Sequence, residues 1–146
     1  MLSGQRTLQI ARILLRAALG ITFLVACADR LGFLGPYGTK NVSWGDWKHF
    51  QQNVALLIWF LPRSAVPTLS LVETVVEAAL GLLLLTGIYL RVIAWLSAAL
   101  LLSFALTMTV ALGALAPLGY SVWTAATAAF LLGAVAPPRG SSARKS

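Results

Sequence analysis

From Val92 to Leu115, and again from Leu118 to Ala136, the chain carries no charged residue. A helix rises 1.5 Å per residue, so about 20 such residues cross the ~30 Å hydrocarbon core of a bilayer. Inside lipid only helices and closed barrels satisfy their own backbone, and uninterrupted apolar runs of this length read as helices. Two more runs fit the same measure, from about Ile10 to Ala28 and from about Pro67 to Leu90. Arg12 and Arg16 sit in the first turns of the earlier run, where their long stems can snorkel to the headgroups. Pro67 suits a first helical turn, because its missing N–H costs nothing there. The expected fold is therefore all-α: an integral membrane antiparallel four-helix bundle with spans near 10–28, 67–90, 92–115 and 118–136. Pro117 and Gly119 would turn the chain between the last two. Residues 1–136 make one domain on this reading, and the basic, Pro/Gly/Ser-rich stretch 137–146 is expected to be disordered.

Composition agrees with a lipid exterior. Of 146 residues, 59% are hydrophobic and only 10% charged, against about a quarter charged in a soluble domain. Too few polar side chains exist to cover a water-facing surface. The net charge of +7 does not point to nucleic acid here, because the basic residues stand singly at the ends of apolar runs, which is a topology pattern. Arg6, Arg12, Arg16, Arg91, Arg139, Arg144 and Lys145 fall on one side of the expected membrane, and Arg30, Lys40, Lys48 and Arg63 on the other. The positive-inside rule then places both termini in the cytoplasm of a bacterial inner membrane and the 29–66 loop outside.

The single cysteine, Cys27, cannot form an internal disulfide or half of a C-x-x-C pair. Leu24-Val25-Ala26-Cys27 after a basic stretch also reads as a lipoprotein cleavage site, a reading weakened by the three apolar runs that follow. Ala125, Ala129 and Gly133 recur every four residues, as do Ala94 and Ala98, marking faces where helices can approach closely.

Chemistry is expected in two places. Trp44, Trp47, Phe50, Val54, Leu57, Ile58 and Leu61 recur at helical spacing in the outer loop. They predict an amphipathic or re-entrant helix at the membrane surface, capped by Ser43 or Asn41 and running to Pro62. Trp44, Trp47 and Trp59 would lie at headgroup level. Glu73 and Glu77, four residues apart, share one face of the second span, ~6 Å and ~12 Å below the outer boundary at 1.5 Å per residue. Carboxylates at that depth need partners or a proton. Arg30 is the expected partner of Glu73, while Glu77 has none among the bases and would turn to the hydroxyls of Ser97, Ser103, Thr107 or Thr109. One histidine, His49, excludes a bis-histidine haem site within one chain. No metal spacing, phosphate loop or nucleophile triad is present, so any reaction would involve a partner, and a complete enzyme is not expected.

The order Asp29-Arg30-Leu31-Gly32, Gly35-Pro36, Val42-Ser43-Trp44-Gly45-Asp46-Trp47 and His49-Phe50, then Glu77, Leu80-Gly81, Gly87 and Arg91, resembles the DoxX/DoxD-like family of small four-helix bacterial membrane proteins. The resemblance covers roughly Ala11 to Ala136. It implies a membrane subunit of a quinone-linked oxidoreductase of the thiosulfate:quinone type, with no covalent cofactor and a membrane quinone as ligand. Asp29, Arg30, Trp44, Asp46, Trp47, His49, Glu73, Glu77 and Arg91 form the candidate pocket between loop and bundle. A non-enzymatic anchor or assembly subunit and a proton-coupled solute carrier are the alternatives. The expected partners are the lipid bilayer and a partner subunit or second copy, with no nucleic acid.

Overall fold

A computed structural model describes residues 2–137; the stretch expected to be disordered lies, beyond Pro137, outside the described residues. The elements described are helical: α1 (Leu2–Arg30), α2 (Trp47–Leu57), a single 3-10 turn (Arg63–Ala65), α3 (Val66–Thr86), α4 (Leu90–Leu112), α5 (Leu115–Gly119) and α6 (Val122–Val135).

Helix α1 starts well before Ile10, because the residues ahead of the apolar run contain no helix breaker except Gly4. It ends where its sequence dictates. Gly32 takes φ +83°, its N–H donates to the Asp29 carbonyl at 2.9 Å, and the Phe33 N–H donates to the Ala28 carbonyl at 2.9 Å. This pair of bonds is a Schellman closure, which satisfies the carbonyls a helix end leaves free. Helix α3 opens with Pro67 in its first turn and stops at Gly87, which adopts a left-handed conformation. Helix α4 stops at Gly113, φ +87°.

Three helices among the described residues, those within Ser3–Arg30, Arg63–Thr86 and Leu90–Leu112, are long and apolar enough to cross a membrane. Only 22–33% of their most apolar windows is buried, so most of the apolar surface faces outward, as a lipid solvent requires. Ile10, Leu14, Ile21, Val25, Leu71, Val75, Leu96, Leu106 and Val110 all belong to that exterior. The fourth expected span departs from expectation. Pro117 and Gly119 lie inside the short helix α5 rather than in a turn. The chain breaks instead at Ser121, which has φ +56°. Helix α6 then has 14 residues, only ~21 Å at 1.5 Å per residue, so the expected fourth span is not one unbroken helix.

Helix α1 packs chiefly on α3, and α4 on α6. The α4–α6 contact uses the small-residue faces read from the sequence: Ala94 and Ala129 are fully buried, Ala98 and Gly133 are buried, and the Trp95 ring covers Gly133. The α1–α3 contact is closer still. A Cβ on Gly20 would lie 2.9 Å from the Gly81 carbonyl oxygen, and one on Gly81 would lie 3.1 Å from the Gly20 carbonyl oxygen. Two backbones touch there, which only glycine permits. Leu19, Phe23, Leu80, Leu84, Ile93, Leu101 and Leu132 fill the core around these crossings.

Replacing Gly20 with valine must push α1 off α3, at a cost of roughly 1–3 kcal/mol for an overpacked contact. Thermal unfolding in mild detergent is expected to fall by several degrees for Gly20→Val. Gly4→Ala, a position with nothing within 4 Å, should leave it unchanged.

Candidate functional site

Two consecutive residues at the end of α1 organise everything on this side of the molecule. Successive helical positions differ by roughly 100°, so Asp29 and Arg30 aim at different targets. The Asp29 carboxylate, 4% exposed, accepts three backbone N–H bonds from the loop. They come from Ser43 at 2.8 Å, Trp44 at 3.2 Å and Gly45 at 3.0 Å. Bonds to an ionised acceptor are stronger than neutral ones, and three of them pin the returning loop against the end of α1. Gly45 is required for this path. It has φ +68°, and a Cβ there would run into the Tyr37 backbone.

Arg30 turns into the bundle and is 1% exposed. Its Nη2 lies 2.6 Å from Glu77 Oε2 and its Nη1 3.7 Å from Glu73 Oε1. Nη1 also donates to Thr74 Oγ1 at 3.0 Å, while the Thr74 hydroxyl donates to the Ser70 carbonyl at 2.8 Å. The guanidinium is covered by Phe50, whose ring centroid is 4.0 Å from Cζ, and by Trp44 at 5.1 Å. A buried cation is thus matched by two carboxylates, a hydroxyl and two aromatic faces. The sequence reading paired Arg30 with Glu73 and left Glu77 to hydroxyls on the third span. The pairing is tighter with Glu77, because one turn of α3 brings both acids to the same side. Ser97, Ser103, Thr107 and Thr109 instead donate to carbonyls of their own helix. The hydroxyl that does join, Thr74, went unnoticed, although its place between two acids on one helical face was a usable signal. Cys27 is buried within continuous helix, and its thiol donates to the Thr74 carbonyl at 3.6 Å across the α1–α3 contact.

Helix α2 roofs this network. Its cap is Asp46, not Ser43 or Asn41: the carboxylate accepts the His49 N–H at 2.8 Å and sits 2.8 Å from His49 Nδ1. Those contacts to His49 hold the exposed Asp46 carboxyl below its ordinary range. Asn41 adopts φ +68° in the preceding loop, and the Ser43 N–H is committed to Asp29. The helix stops at Leu57, short of Pro62. Phe50 and Val54 form a small core with Val66, against which Trp44, Trp47 and Ile58 pack. Of the three tryptophans expected at headgroup level, Trp44 turns inward over Arg30, Trp47 packs on Phe50 at 5.5 Å, and Trp59 is exposed. The Tyr37 ring stacks on His49 at 3.9 Å.

Between roof and bundle lies a cavity of ≈ 420 Å³. Arg30, Glu73 and Glu77 form one end. Tyr37, Trp44, His49, Gln52 and Asn53 line the roof, and Phe23, Leu101, Phe104 and Met108 the apolar wall. Of the nine residues singled out from the sequence, six belong to this cavity or its lining (Arg30, Trp44, His49, Glu73, Glu77) or hold its roof in place (Asp29, by its three loop bonds). Asp46 caps the roof helix and Trp47 anchors it. Arg91 does not take part: it is exposed in the first turn of α4, beyond the α3 end opposite the loop. The antiparallel α1–α3 contact puts Arg16, not Arg30, at that level, against Gly87.

A family model described as methylamine utilisation protein MauE matches residues 8–136, and the chain belongs to that family. No curated protein and no solved structure gives a significant match. The match overturns the assignment to the DoxX/DoxD-like family, and with it the quinone-oxidoreductase identity drawn from that resemblance. The residues behind the resemblance were a leucine-rich helix with spaced glycines and an aromatic loop. Both are what a membrane demands of short helices and interfacial loops, so they report the solvent more than the lineage.

Removing one partner of a buried ion pair strands the others at ~3–5 kcal/mol. Arg30→Met is expected to lower the yield of folded protein and its unfolding temperature sharply. Arg30→Met combined with Glu73→Gln and Glu77→Gln should recover most of the loss, measured by detergent-based thermal unfolding of both variants.

Proposed function

We propose that this MauE-family chain is a membrane accessory subunit of a methylamine-utilisation system, acting as an anchor or assembly subunit and not as a self-contained catalyst. The observation that carries the reading is the family match over residues 8–136, joined to a loop that is rigidly tied from within. With Asp29 holding its backbone, the loop can present an outer surface without losing shape. That surface displays Phe33, 78% exposed, with Leu31, Leu34, Trp59 and Phe60. Exposed apolar side chains of this kind suit a site where lipid headgroups and a partner protein meet. In a methylamine-using host, deleting the gene is expected to abolish growth on methylamine and spare growth on other substrates. A partner should also co-purify with the tagged chain in fixed ratio. Unimpaired growth on methylamine would end this reading.

On this proposal α5 and α6 together supply the fourth crossing of an inner-membrane bundle, with both termini cytoplasmic and α2 outside. The charge distribution supports it: seven of the 11 Lys and Arg residues fall on the terminal side. Lys40→Cys, in a Cys27→Ser background, is expected to react with a membrane-impermeant maleimide in intact cells. Gly4→Cys should react only after permeabilisation, and the reverse pattern would invert the topology.

A further inference from the structure

The cavity beneath α2 has polar and apolar ends of unequal character, and its charged end sets two carboxylates beside one guanidinium. Arg30 commits Nη1 to Thr74 Oγ1 and faces Nη2 to Glu77. The Thr74 hydroxyl has already given its proton to Ser70. Glu77 Oε2 is held by Arg30 Nη2 at 2.6 Å, whereas the Glu73 side chain is 22% exposed and only loosely engaged at 3.7 Å, so its carboxylate keeps acceptor capacity toward the cavity. The Gln52 and Asn53 amides on the roof offer both donors and acceptors. With both acids ionised, two carboxylates against one guanidinium give this end one negative charge in excess, and a cation bound beside them favours that state. His49, also on the lining, has its Nδ1 engaged by Asp46 and its face covered by Tyr37.

A loosely engaged carboxylate at the charged end favours a ligand whose head donates. Arg30 Nε lacks a hydrogen-bond partner, but an anionic head reaching it would meet both flanking carboxylates. The volume decides the body of the ligand. A cavity of ≈ 420 Å³ falls in the range of sites that enclose sizeable organic molecules, and an ammonium head alone would leave the Phe23, Leu101 and Phe104 wall uncovered. We propose that the cavity beneath α2 is a binding site for an amphiphilic ammonium compound, its N–H donors on Glu73 and Glu77 and its hydrocarbon body along Phe23, Leu101 and Phe104. The site does not depend on the accessory role proposed above, and binding to the purified chain tests it without any partner.

The test uses the full chain in nanodiscs of neutral phosphatidylcholine, with binding read from tryptophan fluorescence after subtraction of empty discs. Three probes separate head from body: decylammonium carries both, methylammonium the head, decanol the body. Saturable binding of decylammonium is expected, at least tenfold tighter than either other probe. Glu73→Gln should weaken decylammonium tenfold or more. Ala26→Leu, which fills the cavity wall and leaves the charges in place, should weaken it as well. The proposal is overturned if decanol or methylammonium binds as tightly as decylammonium. It is overturned equally if a folded Glu73→Gln or Ala26→Leu protein binds decylammonium unchanged.

Discussion

The guanidinium of Arg30 is the interaction on which the rest depends. A cation sunk to 1% exposure in an apolar molecule is tolerable only with its counter-charges in place. Supplying them fixes the register of α1 against α3, since Glu73, Thr74 and Glu77 must all face one point. The same group fixes the roof, because Phe50 and Trp44 can cover it only if α2 lies across the mouth of the bundle. Lipid gives helices little hydrophobic reason to choose one partner over another. Specific pairing therefore comes from this polar knot at one level and from the touching Gly20 and Gly81 backbones at another.

Much of this was legible in the sequence, for reasons that can be named. The apolar runs gave α1, α3 and α4 because lipid imposes a length and forbids charge. The four-residue spacing of Ala94 and Ala98, and of Ala125, Ala129 and Gly133, marked the α4–α6 contact because close approach needs small side chains. Glu73 and Glu77 were recognisable as facing the bundle interior because intramembrane carboxylates have few other options. The partner of Glu77 was not legible. Depth counted along one helix places residues along the membrane normal but not around the helix, so Arg30 seemed too shallow when its long side chain reaches both acids.

The break within the fourth expected span was illegible for a different reason. Nothing in the composition of residues 115–135 distinguishes an unbroken helix from two short ones, because the break rests on Ser121 adopting a left-handed backbone, a choice its side chain does not announce. The cap of α2 was misjudged through an equal ambiguity. Ser43, Asn41 and Asp46 are all good capping residues, and the selection was made by Asp29, which had already claimed the backbone around residue 43. Family membership was the least legible of all, since the features that looked diagnostic answer to the bilayer.

The tether formed by Asp29 has an evolutionary corollary. It grips peptide N–H groups, which every residue but proline possesses, and reads no side chain at Ser43. Drift along much of the loop is therefore uncoupled from its anchorage. A lineage could rewrite the loop's outward surface to suit a changing neighbour while keeping the same mooring, with Gly45 and the Asp29-Arg30 pair as the positions least free to vary.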